Sequence, residues 1–159
     1  MVTIKLLNDC PHAIPRISQI WCETLGYSWL PNTSQDYIEA SFQETLNNSI
    51  PLSLVAFNEN NIPVGSCSLL ENDGIRPDLT PWLADLTVDP KHQSQGIGKL
   101  LIHEAKCKAN ALGFQKLYLF TFDIHLSDYY TKLGWKKIAL DYYKNFPVVV
   151  METSLENLP

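Results

Sequence analysis

The sequence has few of the features that mark disulfide-bonded, metal-binding or membrane-spanning proteins. Its four cysteines, Cys10, Cys22, Cys67 and Cys107, are scattered without a Cys-x-x-Cys pair, so we expect reduced thiols that pack as small apolar side chains. On a helix, His103 and Cys107 would share one face, but no third ligand is recognisable, and we expect no metal site. No apolar run approaches the length of a membrane-spanning helix.

Charge and length narrow the class of protein further. A net charge of -5 over 159 residues argues against nucleic acid or an acidic membrane surface as the main partner and mildly favours cationic substrates. The segment from Met1 to Leu7 becomes polar too soon for a signal peptide, so we expect a cytoplasmic protein. A hydrophobic content of 45% at this length predicts one domain, residues 1–159, with a single core.

The most informative segment runs from Val88 to Ile102 and joins a short apolar strand to an amphipathic helix through a glycine-bearing loop. Free N–H groups at the start of a helix, together with the positive end of its dipole, form an anion site. Glycines at Gly96 and Gly98 let a ligand approach the main chain closely. The segment therefore predicts a phosphate-binding loop.

The amino-acid pattern of this loop distinguishes among three kinds of phosphate site. A nucleoside-triphosphate loop requires Gly and Ser or Thr at positions where this chain has Gln93 and Leu100. A dinucleotide fingerprint requires a third glycine, which would fall on Leu101, and it normally follows the first strand of a parallel sheet. The remaining pattern, Gln-x-x-Gly-x-Gly from Gln93 to Gly98, resembles the pyrophosphate loop of the GNAT superfamily of acetyl-CoA-dependent N-acetyltransferases.

A second segment resembles the same superfamily. Residues 127–135 read Ser-Asp-Tyr-Tyr-Thr-Lys-Leu-Gly-Trp, which is similar to its Phe-Tyr-x-x-Leu-Gly-Phe signature, and the two motifs have the family's order and separation. The resemblance implies transfer of acetyl from acetyl-CoA to a primary amine by direct attack in a ternary complex. The acceptor would be a small molecule, a peptide N-terminus or a lysine, and the protein a monomer or homodimer without nucleic-acid or membrane partners.

The order of predicted elements agrees with a mixed α/β protein. Alternating and β-rich runs predict strands at 2–7, 51–57, 62–70, 82–88, 117–122, 134–140 and 146–153. Helical spacing predicts helices at 12–25, 33–46, 96–112 and 126–133, with a loop from Gly26 to Asn32 and a turn from Tyr142 to Asn145. By resemblance the fold is GNAT-like: a mostly antiparallel central sheet flanked by about four helices, with a parallel pair at the CoA cleft.

The resemblance also assigns the donor site. The phosphate loop should bind the pyrophosphate of CoA through backbone amides of Gln93, Ser94, Gln95, Gly96, Ile97, Gly98 and Lys99. The main chain of Leu86, Thr87 and Val88 should align the pantetheine arm and polarise the thioester carbonyl. Asp123 stands where many relatives carry Asn, and because a carboxylate cannot donate an amide N–H, the contact to the CoA arm there is in doubt.

Three residues are candidates for proton transfer. Tyr130 matches the signature tyrosine, and a phenol with a reference pKa of about 10 stays protonated at neutral pH and can protonate the departing thiolate. Alternatively, Tyr129 and Tyr130 are ordinary core aromatics of a helix. The general base stays open among Asp85, Glu71 and a water chain.

Acceptor specificity is expected from aromatic and apolar residues of the N-terminal helices and the C-terminal hairpin. These are Trp21, Tyr27, Trp29, Leu30, Tyr142 and Tyr143. Fold and cofactor do not decide among amines. Two other functions stay open: a non-catalytic acyl-CoA-binding or sensing domain without a productive acceptor site, and a nucleotide-binding protein that uses the same loop.

Overall fold

A computed structural model, which describes residues 1–156 and residue 158, contains one seven-stranded sheet. Its strands are β1 (Thr3–Leu6), β2 (Leu52–Phe57), β3 (Pro63–Leu70), β4 (Trp82–Val88), β5 (Lys116–Thr121), β6 (Lys136–Tyr143) and β7 (Phe146–Ser154). They lie in the order β1-β2-β3-β4-β5-β7-β6, and every neighbouring pair is antiparallel except β4 and β5. The predicted mixed sheet with one parallel pair is confirmed.

Helices cover both faces of this sheet. They are α1 (Ile14–Trp21), α2 (Tyr27–Trp29), α3 (Gln35–Gln43), α4 (Ile97–Ala111) and α5 (Ile124–Lys132). The strand β2 shows the layering, because its side chains alternate between the faces. Leu52 and Leu54 belong to the apolar cluster that contains α4, whereas Val55 and Phe57 pack with α1 and α3. The sheet is thus buried between two helical layers.

The predicted loop from Gly26 to Asn32 is wrong in its first part. A π-helical turn, Cys22–Gly26, joins α1 to α2, so that helical structure continues to Trp29. A Cβ on Gly26 would lie 3.1 Å from Cζ3 of Trp21. Gly26 therefore serves close packing inside the helix and does not end it. The C-terminal turn is also shorter than predicted, because Tyr142 and Tyr143 lie within β6.

The cysteines are free thiols, and burial raises the pKa of Cys67, Cys10 and Cys22. The Sγ of Cys107 lies 3.6 Å from Nε2 of His103. Among the described residues, no three His, Cys, Asp or Glu side chains are grouped as metal ligands. In the same part of the chain, no helix has both the length and the apolarity needed to cross a lipid bilayer.

Candidate active site

A β-bulge in β4 places Asp85 at the mouth of a cleft. Asp85 and Leu86 together lie opposite the single residue Cys67 of β3, which shifts the register between the two strands. Asp85 has a φ of 54°, a left-handed conformation that aspartate tolerates better than most side chains. Because a bulge bends its strand and increases the local twist, it redirects β4 at this point.

The parallel strands β4 and β5 separate immediately after they meet. Trp82 and Tyr118 are their paired residues, and the Tyr118 N–H donates to the Pro81 carbonyl at 3.0 Å. Beyond this pair, no further β4–β5 pairing is present in the described chain. The main chain from Leu86 to Val88, predicted to align the pantetheine arm, therefore lies next to an open gap between strands. An extended ligand can be held there as an added strand would be.

A cavity of about 150 Å³ lies in this gap. Its wall includes residues 83–86 of β4, residues 119–121 of β5, Phe122 directly after β5, and Tyr130 of α5. The Tyr130 side chain is buried, and this burial, with smaller effects of Tyr129 and Cys67, raises the pKa of its phenol. The phenol is therefore protonated at neutral pH and lies on the same wall as Asp85.

The carboxylate of Asp85 accepts a hydrogen bond from Nε1–H of Trp21 at 3.0 Å. Burial raises the pKa of Asp85, and this hydrogen bond opposes the increase. A base whose pKa moves toward the working pH is a better proton acceptor in catalysis. Trp21 thus orients Asp85 and limits the rise of its pKa.

A second cavity, of about 820 Å³, lies beside α3 and shares part of its wall with the first. The residues common to both walls are Trp21, Leu30, Asp73, Asp85 and Tyr143. A molecule in the larger cavity can therefore reach the side chain of Asp85 directly. This arrangement suits a two-substrate reaction, with one substrate held in each cavity.

The predicted phosphate loop presents a row of free donors. From residue 93 to residue 99, no backbone N–H donates to an acceptor within the described chain. Gly96 has a φ of 83° and precedes α4 without any side-chain cap. The Tyr129 hydroxyl would lie 3.8 Å from a Cβ on Gly98, so α5 borders the same site. Free N–H groups at the start of a helix of this length fit the diphosphate of CoA.

Asp89 and Arg16 anchor this loop, and sequence reasoning missed both. The buried Asp89 carboxylate accepts hydrogen bonds from Nη2 of Arg16 at 2.8 Å and from the Lys91 N–H at 3.2 Å, and lies 3.2 Å from Nδ1 of His92. Burial opposes ionisation, but the contacts of Lys91, His92 and Arg16 outweigh it and lower the pKa of Asp89. An Asp-Pro pair after a strand is a local capping signal. Arg16, 73 residues away, has none.

The remaining predicted residues divide into two groups. Trp29 lines the smaller cavity, and Trp21, Leu30 and Tyr143 line both. Two tyrosines that were expected to contribute to acceptor specificity line neither cavity. Tyr27 is 82% exposed and Tyr142 is 66% exposed.

Two acidic residues considered for the donor site and for catalysis line neither cavity. Glu71 is exposed and belongs to neither wall. Asp123 caps α5 by accepting the His125 N–H at 2.8 Å. Its carboxylate therefore has a local structural use that is independent of the CoA arm.

Replacing Gly96 by valine is expected to weaken acetyl-CoA binding by about 10- to 100-fold, because the left-handed backbone costs a β-branched residue at least ~1–2 kcal/mol and the loop amides then lose their alignment. Gly113, at the other end of α4, supplies a matched control. It also has a positive φ, 94°, and a Cβ added there would meet no atom within 4 Å. Gly113→Val should lower the melting temperature comparably and leave the Kd for acetyl-CoA unchanged in calorimetry. Equal Kd values for both variants would contradict the role of the loop.

Comparison with known proteins agrees with this geometry. The family model for the acetyltransferase (GNAT) family matches residues 14–135, and a comparison with curated proteins found no match. Similar solved structures include an aminoglycoside 6'-N-acetyltransferase complexed with coenzyme A, with 17% identity, 99% of each chain covered and a TM-score of 0.75. A GNAT-family acetyltransferase from Staphylococcus aureus Mu50 has 18% identity, covers 98% of this chain and 100% of its own, and has a TM-score of 0.75. A chimera of the Vibrio cholerae spermidine N-acetyltransferase has 17% identity, 99% and 97% coverage and a TM-score of 0.74.

The matched segment contains both the phosphate loop and the segment around Tyr130, and it spans most of the chain. At identities this low, the solved structures establish the fold alone, and that fold is the one the loop and the tyrosine motif predicted. The chain therefore belongs to the acetyltransferase (GNAT) family and is an acyltransferase.

Proposed function

We propose that this enzyme transfers acetyl to the primary amine of a small molecule by direct attack in a ternary complex. The observation that carries the proposal is that Asp85 and Tyr130 line one small cavity, while Asp85 also lines the larger one. A proton acceptor therefore faces the expected acceptor side, and a proton donor faces the expected donor side. A peptide N-terminus and a lysine side chain are the alternative acceptors, because their amines would react in the same way.

In the proposed reaction, the carboxylate of Asp85 removes a proton from the acceptor ammonium, and the amine nitrogen then attacks the thioester carbonyl carbon. Backbone N–H groups at the open edge of β4 stabilise the oxyanion that forms. When the intermediate collapses, the carbon–sulfur bond breaks, its electron pair stays on sulfur, and the Tyr130 hydroxyl supplies the proton. Because no cysteine is among the described residues that line either cavity, direct attack is favoured over an acyl-cysteine intermediate.

The wall of the larger cavity favours a cationic acceptor that also carries hydroxyl or amino groups. Its hydroxyl-bearing side chains are Thr33, Ser34, Tyr37, Ser41, Thr45 and Ser68. Its carboxylates are Glu44, Asp73 and Asp85. Two structures of similar fold are named for aminoglycoside and spermidine acetylation, and both substrates are amines of this description.

The first test is calorimetric titration with acetyl-CoA and, in parallel, ATP and NAD, followed by turnover assays with amines. The panel contains spermidine, kanamycin, phosphinothricin, lysine and a peptide with a free N-terminus. We expect selective binding of acetyl-CoA and acetylation of at least one small amine. Tight binding of acetyl-CoA without turnover of any amine would favour the non-catalytic sensing domain, and preference for ATP would favour a nucleotide-binding protein.

A further inference from the structure

Asp73 has a position that the proposed reaction does not yet use. It lies in the connection between β3 and β4, and together with Asp85 it lines both cavities. No other carboxylate among the described lining residues belongs to both walls. An acceptor at the boundary between the two cavities can therefore meet both carboxylates.

The Asp73 carboxylate has no hydrogen-bond or ion-pair partner within the described chain. Other aspartates are paired: Asp78, in the same connection, lies 2.9 Å from Arg76, and Asp89 lies 2.8 Å from Arg16. Burial, followed by the charge of Asp85, raises the pKa of Asp73 well above its usual range. A poorly solvated carboxylate without a partner is costly unless a proton or an external cation neutralises it.

The ring of Tyr143 also lines both cavities. It stacks on Phe120 with centroids 5.2 Å apart, and a Cβ on Gly74 would lie 2.9 Å from its Cε2. Burial, followed by the charges of Asp73, Asp85 and Tyr37, raises the pKa of the Tyr143 phenol. The neutral hydroxyl therefore lies near both carboxylates, above the backbone that directly follows Asp73.

Few positive charges compete for this place. The titratable or charged side chains around the pair are Tyr37 of α3, Glu44 directly after α3, Cys67 of β3, Tyr143 of β6 and Lys144 of the following turn. Lys144 is exposed, and its Nζ lies 5.5 Å from the centroid of the Tyr143 ring. Among the described residues, no salt bridge neutralises Asp73 or Asp85, so a counter-charge must come from a bound molecule or a proton.

We propose that Asp73 is a specificity-determining residue that, with Asp85, binds the ammonium group of the acceptor at the junction of the two cavities. This inference rests on the proposed acetyl transfer and names its substrate class: a strongly basic primary alkylamine, which is cationic at neutral pH. The empty pair retains a proton. The incoming ammonium displaces this proton to solvent, lies between two carboxylates, and then passes one of its own protons to Asp85 before attack.

Proton displacement gives the inference a readout independent of catalysis. Two close carboxylates in a poorly solvated site do not both ionise without a counter-charge. Amine binding should therefore release a proton, and the affinity for the amine should rise with pH while the pair is still protonated. A neutral amine or a purely hydrophobic acceptor would bind without this release.

The test uses the full-length enzyme saturated with CoA and the panel amine that has the highest kcat/KM. Calorimetric titration in phosphate and in imidazole, buffers with different ionisation enthalpies and no primary amine, should reveal proton release by the wild type and its loss in Asp73→Asn. In steady-state assays, Asp73→Asn should raise the KM for that amine by about 10- to 100-fold, since a neutral amide replaces the carboxylate and the charge-assisted contact with the ammonium is lost. Its kcat should stay within about 3-fold and its Kd for acetyl-CoA should be unchanged.

Two further variants separate recognition from folding. Asp73→Glu keeps the charge and should restore most of the affinity for the amine. Asp78→Asn makes the same chemical change in the same connection, at a residue outside both cavities, and should leave KM unchanged. An unchanged amine KM in Asp73→Asn, or equal heats of wild-type binding in the two buffers, would overturn the role of Asp73 and leave acetyl transfer intact. Absence of wild-type turnover with every amine would overturn the proposed function and this inference with it.

Discussion

Tyr130→Phe is expected to lower kcat by about 100- to 1,000-fold, because the variant lacks the hydroxyl that donates a proton to the departing thiolate. The Kd for acetyl-CoA should stay nearly unchanged. The substitution preserves the ring, which packs edge-to-face against Trp135 with centroids 6.2 Å apart and against Tyr129 at 5.5 Å. Since no described residue hydrogen-bonds the phenol oxygen, the fold should lose little stability.

Single-turnover kinetics and calorimetry together separate this loss from weaker binding. Tyr118→Phe is a suitable control, because it also removes a phenolic hydroxyl. Tyr118 lies in β5, packs on Trp82 and lines neither cavity. This variant should match the wild type. Turnover by Tyr130→Phe equal to that of the wild type would mean that Tyr130 is an ordinary core aromatic, and water would then have to protonate the thiolate.

Asp85→Asn is expected to lower kcat/KM for the amine by about 100- to 10,000-fold, because an amide cannot accept the ammonium proton. The substitution is structurally mild. Asparagine tolerates the left-handed φ of 54°, and its Oδ1 still accepts the hydrogen bond from Trp21. The folded-state pKa of Asp85 is raised, so ionisation of this carboxyl lowers stability as pH rises through that pKa. The variant should therefore melt no lower than the wild type at neutral pH.

The pH dependence tests whether Asp85 is the base. Because the indole hydrogen bond opposes the rise of the Asp85 pKa, Trp21→Phe should move the acid limb of the kcat/KM profile to higher pH. Glu71→Gln provides the competing test, since Glu71 is exposed and outside both walls. Loss of activity in Glu71→Gln with a fully active Asp85→Asn would transfer the role of base to Glu71. Full activity of both variants would mean that a water chain, and neither carboxylate, accepts the proton of the ammonium.

The local geometry of the predicted donor side agrees with the sequence because its determinants are local. The phosphate loop needs consecutive free N–H groups and a glycine at Gly96 with positive φ, and both follow from neighbouring residues at a strand–helix junction. Tyr130 lies in a short helical signature, and the predicted ends of β4 match the observed ones, Trp82–Val88. Hydrophobic periodicity likewise predicts the order of strands and helices, since burial on one face repeats with the geometry of each element.

The acceptor side depends on contacts that no local pattern reveals. Glycine usually suggests a chain break, so the sequence predicts a loop at Gly26, where the packing of Trp21 instead permits a π-helical turn. Tyr27 and Tyr142 resemble the other aromatics in sequence, and only the orientation of their elements exposes them.

The sequence by itself determined the family, and it located the strand–helix junction that is predicted to bind phosphate, because both depend on residues that are close together in the chain. The tertiary structure alone decided which side chains meet at the junction of the cavities. Asp73, in the β3–β4 connection, and Asp85, at the bulge of β4, line the same two cavities, and the Arg16–Asp89 contact joins residues 73 positions apart. Such proximities arise from packing across the whole sheet, and therefore the spacing of residues along the chain does not predict them.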